Sequence, residues 1–142
     1  MKFKILCIGK IKKGWILSGI EDYGKRFPLE IIELKDSNKE KESLDLLKKI
    51  RDNAFVVVLS EEGTKFNSNS FAKLIKEKAN SVGTIFFIIG GPDGLSDCVK
   101  KKANLLLSLS QMTFTHEMAR LFLVEQIYRA ISINKGMKYH RD

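Results

Sequence analysis

Three places in this 142-residue chain set small or polar residues directly after an apolar run. They are Leu59-Ser60-Glu61-Glu62-Gly63, Gly90-Gly91-Pro92-Asp93-Gly94 and Ser108-Leu109-Ser110-Gln111-Met112-Thr113. Glycine lets backbone donors and acceptors approach a ligand with no Cβ between them. Serine, threonine and glutamine add hydroxyl and amide partners. Pro and Gly also make tight turns with no ligand at all, so GGPDG alone does not choose between a cradle and a turn. A fourth chemical grouping is the terminal KGMKYHRD, with Tyr139, His140 and Arg141 side by side. Such residues stack on a base, exchange a proton near neutral pH and grip a phosphate. Chain ends also fray and do nothing, and both readings of the tail stay open.

Several chemistries are excluded by what is missing. There is no GxxxxGK[ST] phosphate loop and no GxGxxG dinucleotide fingerprint, since Gly90-Gly91-x-x-Gly94 has the wrong spacing. GxSxG is absent, which leaves an α/β-hydrolase nucleophile elbow unsupported. No His, Cys, Asp or Glu cluster has metal-ligand spacing, so no metal is expected. His116 opens a long apolar segment, where capping or exposure is the default role.

The elements that must position these residues alternate from end to end. Strands are predicted at Phe3 to Ile8, Leu29 to Leu34, Ala54 to Leu59, Ile85 to Ile89 and Leu105 to Leu109. AFVVVL and IFFII are apolar without alternation, as expected of strands covered on both faces. Ile16, Ile20, Tyr23 and Phe27 recur at helical spacing, and so do Phe71, Leu74, Ile75 and Ala79 behind the caps Asn67 to Ser70. Residues 38–50 and 95–102 give weaker helical patterns. The alternation predicts an α/β domain over residues 1–142, with a parallel sheet and helices on both faces. In open parallel sheets ligands bind beyond the carboxyl ends of the strands, where the three polar segments fall. The last helix, about Thr115 to Asn134, is apolar almost all the way round. Burial of its second side in a symmetric dimer is the expectation, with a helix wedged inside one subunit as the alternative.

Lys and Arg number 25 against 17 Asp and Glu, a net charge of +8, gathered at Lys10, Lys12 and Lys13, at Lys100 to Lys102 and near the C-terminus. That balance favours a polyanionic partner such as RNA, although lysine also serves simply to solubilise a surface. No run reaches the roughly 18 to 20 apolar residues of a membrane span. Cys7 and Cys98 have neither zinc-type nor CxxC spacing, and two such thiols suit a reducing cytoplasm.

GGPDGL after an apolar strand, LSLSQMTFTHEMARLFLVEQIYRA and a terminal YHR together resemble one family. It is the bacterial ribosomal large-subunit pseudouridine N3-methyltransferases of the SPOUT class. Lys10 to Trp15, DYGKRFP at 22–28 and LEIIEL at 29–34 extend the likeness over essentially the whole chain. The resemblance implies a parallel-sheet SPOUT fold with a C-terminal trefoil knot, which ordinary chain-connection rules would not suggest. It implies a homodimer, and S-adenosylmethionine as methyl donor with no metal. Carried over residue by residue, the cofactor contacts are Leu59, Gly90, Leu109, Ser110, Gln111, Met112, Thr113 and Phe114. The implied acceptor is N3 of a pseudouridine in 23S ribosomal RNA. For so compact an enzyme an assembled target, a ribosomal subunit or whole ribosome in the cytoplasm, is the expected source of specificity. That nitrogen must lose a proton as it attacks. His140 is the candidate to take the proton or to position the base, and Arg141 the candidate to hold phosphate or developing charge. Tyr139 would stack or pack the tail, and one subunit's tail can complete the other's site. Other readings are a SPOUT enzyme acting on tRNA, an RNA-binding module without catalysis, and a flavodoxin-like nucleotide-binding domain.

Overall fold

The computed structural model describes residues 1–141. Five strands, β1 (Lys2–Ile8), β2 (Leu29–Leu34), β3 (Phe55–Lys65), β4 (Thr84–Ile89) and β5 (Leu105–Ser108), form one sheet in the order β2-β1-β4-β3-β5. Every pairing is parallel. Five helices complete the chain: α1 (Gly14–Gly24), α2 (Lys39–Lys49), α3 (Ser68–Ala79), α4 (Asp97–Lys102) and α5 (His116–Asn134).

The continuous apolar runs are explained by cover on both faces. Phe3, Ile5, Val57, Ile85, Phe87 and Ile89 point to one side, where Ile16 of α1, Phe71 and Ile75 of α3 and Leu123, Val124 and Ile127 of α5 bury them. Leu6, Ile8, Val56, Val58, Phe86 and Ile88 point to the other, against Leu46 of α2 and Val99 of α4. Caps close the helices where Asn or Thr precedes them. Asn38 accepts from Lys41 N, Asn67 makes a reciprocal box with Ser70, and Thr115 accepts from Met118 N.

Two expectations change. Strand β3 runs on to Lys65 rather than stopping at Leu59, because the chain bulges and then resumes pairing. Leu59 and Thr64 both face Leu107, and Lys65 faces Ser108, which throws residues 60–63 out of the ladder. The second change concerns α5, which lies between α1 and α3 over the sheet. A Cβ on Gly19 of α1 would stand 2.9 Å from Leu121 Cδ1, so the two helices approach closely. The two-sided apolar character of α5 is therefore accounted for inside one chain and does not by itself call for a dimer.

Candidate active site

The bulge at residues 60–63, the GGPDG turn and the segment after β5 meet beyond the carboxyl ends of β3, β4 and β5. They enclose a cavity of about 610 Å³ whose wall includes Leu59, Glu61, Gly90, Leu109, Met112 and Phe114. That volume falls within the roughly 300–1,000 Å³ of small-molecule sites. Of the eight sequence-derived binding candidates, Ser110 and Thr113 also line it, and only Gln111, exposed on the same loop, does not. Around the apolar wall stand carboxylates from Glu61 and Glu62 and an ammonium from Lys100.

Local chemistry shapes each wall. Gly63 packs against the β5 backbone: a Cβ there would lie 2.6 Å from Leu106 C and O and 2.8 Å from Leu107 N. This contact is what allows β3 to rejoin β5 after the bulge. The GGPDG segment is a tight turn as well as a cavity wall. Gly94 has φ +77° and donates its N–H to Gly91 O at 3.0 Å. At Gly90 the space of a missing Cβ is filled by Leu95 Cγ, at 2.8 Å, so closure of the turn itself requires that glycine. After β5, Ser108 Oγ donates to Ser110 O and Met112 N donates to Ser110 Oγ, each at 3.0 Å, which holds the loop in its bend.

The first turn of α5 joins this cavity to the loop after β1. His116 and Ala119 line the cavity. His116 neither caps the helix, which Thr115 does, nor is exposed, and its Nδ1 is buried with no hydrogen-bond partner among the described residues. Glu117 Oε1 accepts from Lys12 N at 3.0 Å and Lys13 N at 3.1 Å. Those N–H donors, Lys13 first, hold its carboxyl below the ordinary carboxylate range against the opposing effect of burial. Arg120 is 1% exposed and joins Glu33 Oε2 at 2.5 Å and Gly9 O at 3.1 Å. None of these partners was legible in the sequence, because each lies 87 or more residues away.

The tail is ordered, and the helix end explains why. Gly136, at φ +70°, donates to Ile133 O, and Met137 N donates to Ser132 O, a paired closure that reverses the chain along α5. Tyr139 then packs edge-on against Tyr128, with centroids 4.8 Å apart, and donates to Glu125 Oε1 at 2.9 Å. Burial, then hydrogen bonds with Tyr23 and Glu125, raise its phenol above the ordinary tyrosine range. Arg129 bonds Glu125 through Nε and Nη2, lies over the Tyr139 ring and reaches His140 Nδ1 with Nη1 at 3.1 Å. A guanidinium only donates, so Nδ1 accepts and the imidazole proton sits on Nε2. Arg141 is exposed. Neither His140 nor Arg141 lines the cavity. Their anchors, Glu125 and Arg129, lie nine and more residues along α5 from His116, roughly 14 Å of helix. One chain thus assembles the cavity candidates and the tail candidates in two separate places.

Among the described residues there is no group of three or more His, Cys, Asp or Glu able to hold a metal ion, and no helix long and apolar enough to cross a membrane.

Comparison with known proteins adds an independent line. The profile of a family described as predicted SPOUT methyltransferase matches residues 1–140. A Prochlorococcus marinus protein named ribosomal RNA large subunit methyltransferase H is 49% identical over 142 residues, covering 99% of this chain and 97% of the relative. A protein of the same name from Cytophaga hutchinsonii is 42% identical, covering 99% of both chains. Among solved structures, the SpoU methyltransferase AviRb of Streptomyces viridochromogenes shares the fold. Its TM-score is 0.50 at 13% identity, over 96% of this chain and 61% of that one.

Proposed function

The chain belongs to the SPOUT methyltransferase family, and from that premise we propose that it methylates N3 of a pseudouridine in large-subunit ribosomal RNA. The methyl donor in this reading is S-adenosylmethionine. The observation that carries it is the convergence of three post-strand loops on one cavity, whose wall combines backbone and apolar side chains with a few charged and hydroxyl groups and no phosphate-binding loop. Leu59, Leu109, Met112 and Phe114 offer apolar surface to a purine ring, while backbone groups of residues 109–114 can read its edge. Glu61 and Glu62 are suitable counter-charges for a cationic ligand, and Lys100 for a carboxylate. When bound, the cofactor supplies an electrophilic methyl on a sulfonium.

The chain's own task is alignment and charge. The acceptor nitrogen belongs to an imide and must shed a proton to become a nucleophile. Through its Nε2–H, His140 donates to a carbonyl oxygen of the acceptor and stabilises the anion formed as water takes the proton from N3. Arg141 grips an RNA phosphate, and Tyr139 anchors the tail to Tyr128 and Glu125.

A homodimer is part of the proposal, and with it a site completed in trans. The support is twofold: the tail lies away from its own cavity, and exposed apolar surface at the cavity rim, from Met112 and Phe114, continues onto Phe122, which packs against Phe114. The enzyme is read as a single unit carrying the family's C-terminal knot and working with ribosomes in the cytoplasm.

The test is complementation. A cavity-blocked variant, Thr113→Trp, at an exposed position of the cavity wall, and a tail variant, His140→Ala, are each assayed alone and after joint unfolding and refolding. Trans completion leaves one intact site in half of the dimers and restores about a quarter of wild-type methylation. Two inactive proteins that stay inactive when mixed would refute shared sites.

A further inference from the structure

We propose that the loop between β1 and α1, residues 9–13, together with the first turn of α1, is an RNA-docking surface beside the cavity, with Trp15 as a base-stacking face and Lys10, Lys12 and Lys13 as phosphate contacts. The inference rests on the methyltransferase reading and names the surface on which the RNA lies.

Three independent features of the loop agree. The first is its charge and exposure. Lys10, Lys12 and Lys13 are exposed, and among the described residues none has a carboxylate within the 4.0 Å of an ion pair. Glu117, the nearby carboxylate, is spent on the backbone N–H groups of Lys12 and Lys13. The second feature is Trp15, the single tryptophan of the chain, which is 63% exposed between these lysines and Leu17. A large indole left in water within a basic stretch is suited to an unpaired base, because stacking needs only a bare ring face and cations neutralise the backbone alongside. The third feature is rigidity. Arg120 fixes Gly9 O, Glu117 fixes the next turn of backbone, and both stand on the helical turn whose His116 and Ala119 line the cavity. The backbone that carries the lysines is therefore held at a set place relative to the cavity, which a merely solubilising charge does not need.

The lone tryptophan supplies the readout. Intrinsic emission is followed while large ribosomal subunits, and separately a single-stranded RNA oligonucleotide, are added to the wild type. In parallel, a Lys10→Gln, Lys12→Gln, Lys13→Gln variant and Trp15→Ala are tested for RNA affinity at several salt concentrations and for S-adenosylmethionine binding. Quenching of Trp15 by RNA is expected. So is a salt slope lower by about 1 for each lysine removed, about 3 for the triple variant. Trp15→Ala should bind about 10-fold or more weakly at unchanged slope. Cofactor affinity should not move in any of them. Emission that ignores RNA but changes on protein dilution would mean that a second copy of the chain covers Trp15, and it would overturn the proposal. A triple variant with wild-type slope would overturn it equally. Failure of the underlying reading looks different: wild type would then bind RNA through this loop yet transfer no methyl group to it.

Discussion

The guanidinium of Arg129 donates to Nδ1 of His140 across 3.1 Å, and the same guanidinium is held by Glu125 one helical turn away. A carboxylate, a guanidinium and an imidazole therefore form a line along the outer face of α5, with Tyr139 stacked over its middle. The arrangement fixes both the orientation and the tautomer of the only histidine in the tail.

If orientation of His140 is what the line provides, Arg129→Lys should not be conservative. Lysine carries the charge without the planar fork that bonds Glu125 and His140 together. The expected result is a fall in kcat of about 10- to 100-fold, the usual penalty for a misplaced reacting group, with S-adenosylmethionine affinity unchanged. Nitrogen NMR of the imidazole should show the Nε2–H tautomer in the wild type. An Nδ1–H tautomer there, or a variant with full kcat, would contradict the assigned role.

Gly63 should tolerate no side chain. A Cβ placed 2.6 Å from the Leu106 carbonyl would push β5 off β3 and deform the bulge that forms one wall of the cavity. Gly63→Ala is expected to cost about 1–3 kcal/mol or more in urea denaturation, the range of overpacked interiors. It should also lose cofactor affinity, whereas Gly14→Ala, which meets nothing within 4 Å, should not.

Glu117 makes part of the stability pH-dependent, and the sign follows from its lowered folded-state pKa. The unfolded carboxyl binds its proton more readily, so stability from this group is fully present above its ordinary value of 4.5 and is lost as pH falls through the lower folded value. Glu117→Gln should be less stable than wild type at pH 7, with the difference closing on acidification. Thermal melts between pH 7 and pH 3 measure this. A gap that widened towards acid would mean that the hydrogen bonds from Lys12 and Lys13 do not act as described.

The two thiols should separate cleanly. Cys7 is 1% exposed, and burial pushes its pKa up to about 12, opposed by Arg120. Cys98 is exposed on α4. One thiol per chain should react with a neutral-pH disulfide reagent in the native protein and two after unfolding. Two fast equivalents in the native state would place Cys7 outside the core.

Much of the framework was legible because it rests on local patterns. AFVVVL and IFFII announced strands covered on both faces, and Asn67 and Ser70 announced a capped helix. The three cavity loops could be named because each follows a buried strand. What stayed hidden depends on distant contacts. Nothing near Gly63 in sequence says that Leu106 will pass against its backbone. Nothing near Arg120 or Glu117 names Gly9, Glu33, Lys12 or Lys13 as partners. The same limit applies to α5, whose apolar girth is largely taken up by α1 and α3 of its own chain while Phe122 stays exposed. The tail was open between fraying and function. The Gly136 turn, which folds it back onto Tyr128, depends on packing that the residues KGMKYHRD do not display.

The most direct measurement is transfer of labelled methyl from S-adenosylmethionine to two preparations of ribosomes. One lacks only the modification, and the other lacks the pseudouridine as well. Label is expected in large-subunit RNA of the first preparation, none in the second, and a strong loss with His140→Ala. Equal labelling of both preparations, or label confined to transfer RNA, would contradict it.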